Sequence, residues 1–186
     1  MSEVVRCWES SDPAYNDYHD KEWGRPVRDE RGLLERLSLE GFQSGLSWLT
    51  ILRKRENFRA AFAGFDAEAV ARFGDRDVER LLGDAGIVRH RGKIEAAIAN
   101  ARATVALRQT GTPLEALAWE YRRDGPAPAD WQAQTPESVE LSKRLRKAGF
   151  RFVGPTTVYA AMQACGIVND HLAACFVRDA VERDRR

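Results

Sequence analysis

DAGIVRHRGKIEAAIANAR, residues 84–102, carries two turns of chemistry and the end of one helix joined to the start of another. Val78, Leu81, Leu82 and Ala85 recur at i, i+3, i+4, i+7, and Ile94, Ala97, Ile98 and Ala101 repeat that spacing, so each series lines one helical face. Gly86 and Gly92 bracket the turn between them, which holds Arg89, His90, Arg91 and Lys93 at or beside a helix N-terminus. Backbone N–H groups and cations collected there suit an anion such as phosphate, although a basic turn of this kind also serves as an ordinary solvated connection.

Outward from this hairpin the periodicity stays helical. Leu33, Leu34 and Leu37 begin a stripe, Trp48, Ile51 and Leu52 continue one beyond an interruption at Gly41 to Gly45, and Val158, Ala161, Met162 and Cys165 end at Gly166, a helix-stopping position. Thr135-Pro136-Glu137 has the N-cap, proline and early acid of a helix start, and Asp66 and Asp75 are further expected caps. No run alternates apolar with polar residues, so the fold class is all-α. Residues 109–136, with QTGTP, DGPAPAD and QAQTP around Leu114 to Tyr121, form a surface connection holding one helix.

The 186 residues carry 29 Lys+Arg against 28 Asp+Glu, which excludes a polycation that coats nucleic acid by bulk attraction. Any polyanion partner must be met by a local basic face; Arg53-Lys54-Arg55 and KRLRK (143–147) are further clusters, and Arg183 to Arg186 reads as a frayed tail. Three cysteines make no disulfide framework, and neither a signal-peptide-length apolar run nor a membrane span is present in the sequence, so a reduced cytoplasmic setting without a membrane is expected.

Two constellations carry further chemistry. His171 and Cys175, four apart in NDHLAACF, face one way if Asn169 or Asp170 caps a helix there; Cys7 and His19 complete a Cys2His2 set of the kind zinc prefers. The plainer alternative is a buried Cys175 beside a hydrogen-bonded His171, and Cys165 belongs to its apolar stripe. Glu40, in LSLEGFQSGLSWL, is flanked by Leu37, Leu39, Phe42 and Leu46. It fits either the polar side of an amphipathic helix or a dry pocket where a carboxylate meets a ligand, with Trp8, Tyr15, Tyr18, Trp23 and Trp48 as nearby aromatics. GxSxG, P-loop, Rossmann and HExxH motifs are absent.

YHDKEWG (18–24), LEGFQSGLSWLTILRKRENFR (39–59), DAGIVRHRGKI (84–94) and FRFVGPTTVYAAMQACGIVNDH (150–171), in this order, closely resemble the 3-methyladenine DNA glycosylase I family. The resemblance spans nearly the whole chain and is weakest over 109–136. It implies a helix-hairpin-helix DNA glycosylase fold: a hairpin lobe over about 28–130, and a lobe of 1–27 plus 131–186 in which Cys7, His19, His171 and Cys175 hold a structural zinc ion tying the two ends together. It implies that Glu40 reads the damaged base between walls formed by Trp8, Tyr18 and Trp48, and Glu40 is the expected catalytic residue, through recognition first and electrostatic help second. Arg89, Arg91, Gly92 and Lys93 of the hairpin (85–93) are then DNA-binding, and Gly45 and Leu46 enter the gap left by an everted nucleotide. The superfamily's usual aspartate is missing around Gln109-Thr110-Gly111-Thr112, as is typical of this family, and no lysine stands there for lyase chemistry. The implied enzyme is a monomer that excises 3-methyladenine from alkylated double-stranded DNA, releasing the free base and leaving an abasic site for base excision repair. Two other classes fit parts of the pattern: a non-catalytic zinc-stabilised DNA-binding module, and a metal-dependent hydrolase with an open coordination position.

Overall fold

Local capping chemistry starts most of the helices. The computed structural model describes residues 4–126 and 130–186, and the DGPAPAD stretch lies partly outside them. Asp12 accepts from the amides of Ala14 and Tyr15 ahead of α1 (Pro13–Lys21), Asp29 from Gly32 at the start of α2 (Glu30–Gln43), and Ser47 from Thr50 at the start of α3 (Trp48–Ala61). A short 3-10 turn (Ala63–Phe65) leads to α4 (Ala67–Ala71), capped by Asp66 as expected. Asp75 instead occupies the first turn of α5 (Asp75–Leu82), with Gly74 as the N-cap. Then follow α6 (Arg91–Gln109), α7 (Leu114–Trp119), α8 (Pro136–Lys147), whose N-cap is Thr135, α9 (Pro155–Ala164) and α10 (Arg178–Asp184). Among the described residues there is no strand, and no helix is long and apolar enough to cross a membrane.

Helix α2 is the axis of the molecule, packed between α6 and α9 and buried without a break from Leu33 to Phe42. It runs through Gly41 rather than stopping there. The interruption is shorter, Ser44 to Ser47, and Gly45 at φ +82° turns the chain. Burial of a whole helix brings charged residues inside, and two of them are paired: Arg59 takes both oxygens of Glu35, while Glu22 accepts from Arg36 at 2.9 Å and from Arg55 at 2.6 Å. Those two guanidiniums hold the Glu22 carboxyl down at about 2, against the opposing effect of burial.

The buried apolar residues form two clusters. The larger joins α2 to α9, including Leu33, Phe42, Phe58, Ile94, Leu145 and Val158. The smaller joins only the two ends of the chain: Cys7, Tyr18 and Trp23 with Ala164, Cys175 and Val177. The C-terminus is not frayed. Arg185 is fully buried and donates to the carbonyls of Gly166, Ile167 and Arg123, so its charge closes the last helix onto the turn after α9. Gly166 is required at that turn, since a Cβ there would lie 2.4 Å from the Gly24 carbonyl oxygen.

Candidate functional site

The smaller cluster contains a closed set of metal-ligating side chains. The ligand atoms of Cys7, His19, His171 and Cys175 all lie within 4.8 Å of one another. His171 Nδ1 is 3.3 Å from Cys7 Sγ and 3.4 Å from Cys175 Sγ; His19 Nε2 is 3.5 Å from Cys175 Sγ. The far ring nitrogens fix the tautomers. His19 Nδ1 donates to Asp20 at 2.8 Å, and Arg6 in turn binds both oxygens of that carboxylate. His171 Nε2 donates to the carbonyl of Trp23 at 3.0 Å. A carboxylate and a carbonyl only accept, so both inner nitrogens carry a lone pair on the side of the sulfurs, that of His19 also accepting from the Cys7 amide at 3.1 Å. Burial lowers both histidine pKa values, keeping the rings in the neutral form that binds metal. Two thiols, two oriented imidazoles and their outer partners fit a four-coordinate metal site.

The segment bearing two of these ligands is not the helix its spacing suggests. Residues 171–177 are irregular, with turns at 173–174 and 176–177. Asn169 is occupied by the His171 amide, Asp170 by Tyr159 and Gln163, and Leu172 donates its amide to Cys7 Sγ. Arg178 gathers the carbonyls of Asn169 and His171. These tertiary bonds replace the helical ladder. Gly24, at φ +81°, lets the chain pass over the His171 ring, where a Cβ would sit 2.9 Å from Nε2.

Against this cluster lies an open cleft of about 400 Å³. Trp8, Tyr15, Tyr18, Trp23 and Trp48 wall it, with Glu40 at its base and Cys7 at its edge. Trp8 packs edge-on to His19 at 4.7 Å and to Trp23 at 4.9 Å, and Tyr18 lies 5.4 Å from Trp48. The cluster and the pocket therefore share a wall. Four residues singled out by sequence, Trp8, Tyr18, Glu40 and Trp48, meet here. Gln43, Ala160, Gln163 and Trp131 also line the cleft and were not singled out. Gln43 had a signal, being one helical turn after Glu40; Trp131 lies in the least recognisable stretch and had none.

Glu40 is 7% exposed, and among the described residues nothing donates a hydrogen bond to it. Burial lifts its carboxyl to about 8, only partly opposed by the Arg36 charge one turn earlier on α2. The same burial raises Tyr15 and Tyr18, so both phenols stay neutral. The indole N–H groups of Trp8 and Trp48 are buried and also lack partners. A pocket with an unanswered acid and aromatic faces is built for a flat, electron-poor ligand bearing hydrogen-bond donors.

The basic hairpin meets the C-terminal end of α2, the end that also carries Glu40 and Gln43. Among the described residues the amides of Val88, Arg89, Arg91 and Gly92 have no partner, and Arg89 is exposed without a carboxylate. Arg91 reaches Glu79 at 2.5 Å and Glu95 at 3.6 Å. Lys93 is placed differently from its expected outward role: it is 9% exposed, and its ammonium donates to the carbonyls of Phe42 at 3.0 Å and Ser44 at 2.5 Å. Those carbonyls end α2, so Lys93 caps the helix that carries Glu40 and anchors the loop holding Gly45 and Leu46. Leu46 itself is 40% exposed. The 53–55 cluster is largely engaged as well, with Arg53 on Asp12, Arg55 on Glu22 and Lys54 on the Ala85 carbonyl.

This arrangement has close counterparts. A family model described as methyladenine glycosylase matches residues 8–178. DNA-3-methyladenine glycosylase 1 of Escherichia coli (strain K12) is 50% identical over 179 residues, covering 92% of this chain and 96% of that protein. A crystal structure of 3-methyladenine DNA glycosylase I superposes with a TM-score of 0.88 at 49% identity, covering 92% of this chain and 98% of that one. A single-residue variant of 3-methyladenine DNA glycosylase I in complex with 3-methyladenine superposes at 0.86 with 35% identity, covering 91% and 94%. With the match running from the pocket wall at Trp8 to the last turn of the cysteine–histidine cluster, the chain belongs to the methyladenine glycosylase family.

Proposed function

We propose that the protein is a monofunctional DNA glycosylase that everts 3-methyladenine from alkylated double-stranded DNA and hydrolyses its N-glycosyl bond, releasing the base and leaving an abasic site. The observation that carries this is Glu40: a buried carboxyl with no donor, among aromatic faces, in a cleft wide enough for a base.

Methylation at N3 makes adenine cationic while it is attached to the sugar. The bond to C1′ is already weakened, and the base departs as a neutral molecule. Trp8, Tyr18 and Trp48 favour that cation over neutral adenine by about 0.5–2 kcal/mol for each good contact. In the empty pocket at neutral pH, Glu40 holds its proton more than half of the time, because it ionises at about 8. Docking of a cation favours the carboxylate, which then accepts a hydrogen bond from the exocyclic amine. A neutral base offers no such charge, and a carbonyl in place of the amine meets a repulsive oxygen; selection by a buried polar group reaches orders of magnitude. As the bond breaks, the same carboxylate offsets positive charge on the sugar, and water captures C1′. No lysine lines the pocket among the described residues, which supports hydrolysis rather than an imine route.

Cys7, His19, His171 and Cys175 would hold zinc, whose part is to cross-link the two chain ends and so fix the Trp8 wall. Four protein ligands leave no position for a reacting water, which separates this centre from a metal-dependent hydrolase. The hairpin amides and Arg89 receive backbone phosphates, and Leu46 fills the space vacated by the everted nucleotide. Arg91 reaches the same surface once it exchanges its exposed partners for phosphate; Lys93 holds the hairpin against α2.

Incubation with methylated duplex DNA, followed by identification of the bases released, tests the proposal. Release of 3-methyladenine without strand cleavage is expected. Duplex binding with no base release would instead support a non-catalytic DNA-binding module.

A further inference from the structure

Phe152 combines three features that folding alone does not require. Its ring is 44% exposed, its backbone is left-handed at φ +53°, and both neighbours are gripped by buried polar side chains. Asn100 of α6 binds residue 151 twice, accepting from the Arg151 amide at 2.7 Å and donating to its carbonyl at 3.1 Å. Ser142 of α8 donates to the Val153 carbonyl at 2.6 Å. Asn100 and Ser142 are 3% and 1% exposed. A left-handed backbone costs a β-substituted residue free energy that glycine avoids, and such conformations persist where surrounding structure imposes them. Here two helices impose it, and the result is a large aromatic held out to solvent.

Its position gives that ring a use. Phe152 lies edge-on to His90 of the hairpin, with ring centres 6.3 Å apart, and its ring edge is 3.9 Å from where a Gly92 Cβ would stand. Its carbonyl packs on Gly41, the residue after Glu40. Arg89 and Arg151, both exposed, have no carboxylate partner among the described residues. The Leu46 loop joins the same end of α2 through the Lys93 bridge. An exposed aromatic beside unpaired cations and free hairpin amides has the chemistry of a nucleic-acid stacking position.

We propose that Phe152 is a DNA-contacting residue, stacking on a base or sugar of the duplex beside the everted nucleotide and acting with Leu46 from the hairpin side of the gap. This rests on the glycosylase proposal. It adds a duplex-positioning residue outside the base pocket, one that touches DNA and not the excised base.

The probe is a labelled duplex carrying a reduced abasic site, measured with the full chain and with Phe152→Ala, Phe152→Gly and Phe152→Trp. The alanine and glycine variants are expected to bind it roughly 5- to 100-fold more weakly, the range associated with losing one base–aromatic stack. The tryptophan variant should stay within about twofold of wild type, a single stack being sequence- and ring-tolerant. Affinity for free 3-methyladenine should not change, and the glycine variant should melt at or above the wild-type temperature because its backbone strain is relieved. Undiminished duplex binding by the alanine and glycine variants would overturn the proposal. So would a loss that tracks a lower melting temperature and is not restored by tryptophan, since that marks a structural role. Failure of wild type to bind the free base would count against the glycosylase proposal, while the duplex measurement would still decide Phe152.

Discussion

Cys7 and Trp8 are adjacent in the chain and belong to two buried polar sites with opposite economies of hydrogen bonding. In the cysteine–histidine cluster every ring nitrogen has a partner, the outer ones on Asp20 and the Trp23 carbonyl, the inner ones on sulfur. In the pocket next to it, Glu40 and the Trp8 and Trp48 indoles have none among the described residues. Buried polar groups without partners are costly, and a fold that tolerates several in one place keeps them for a ligand. The answered site holds the molecule together; the unanswered one binds and discriminates. Because His19 packs on Trp8, disturbing the first must loosen the second.

The largest expected effect comes from breaking the cluster. Cys175→Ser, or metal chelation of wild type, should abolish binding of 3-methyladenine. The small cluster that joins residues 7–23 to 164–177 should unfold while the larger core built on α2 persists. Thermal melts followed by tryptophan fluorescence and far-ultraviolet circular dichroism should then separate into two steps. A single cooperative loss would show that the two cores are one unit.

Next in size is Glu40→Gln. Excision of 3-methyladenine should fall by about 100-fold or more, comparable to losing a buried polar discriminator. Stability should move the other way. Glu40 ionises near 4.5 in the unfolded chain and at about 8 in the folded one, so the folded state is favoured most below pH 4.5 and loses ground as pH rises toward 8. Across that window wild type should weaken relative to the glutamine variant by up to ~1.4 kcal/mol for each pH unit, approaching a constant difference above it. Denaturant titrations of both proteins at pH 5, 6.5 and 8 check the sign. A third substitution, Trp48→Ala, should weaken free-base binding by roughly 5- to 30-fold, the worth of one aromatic face stacked on a neutral base, as read by calorimetry. Smallest is Arg89→Ala: a few-fold loss of duplex affinity in moderate salt, with the log–log salt slope reduced by about 0.9 and base binding untouched.

Sequence carried further for the answered site than for the surface around it. Residue type offered Cys7, His19, His171 and Cys175 as a tetrahedral donor set beside a plainer alternative, the family resemblance implied them as ligands, and the structure gathers all four even though 171–175 is not helix. Helical periodicity gave the all-α class, and the caps at Asp66 and Thr135 were plain in local sequence. Glu40 was open to two interpretations until its neighbours were known, since whether an acid is dry depends on α1 and α9 as much as on α2. The directions of the cations were not readable at all. Lys93 and Arg185 look like solvent residues in the string, yet their charges end on backbone carbonyls supplied by distant segments. The backbone conformation of Phe152 has the same origin, being imposed by Asn100 and Ser142 from two other helices.

The most direct test is the titration of the Glu40 carboxyl itself, followed by carbon NMR in wild type with and without 3-methyladenine. A midpoint near 8 in the free protein is expected, because burial without donors disfavours the charge. Saturating base should move that midpoint down by at least about one unit, as the exocyclic amine donates to the carboxylate. A carboxyl that titrates near 4.5 in the free protein, or one whose midpoint does not respond to the base, would contradict the assignment of Glu40 as the group that reads the ligand.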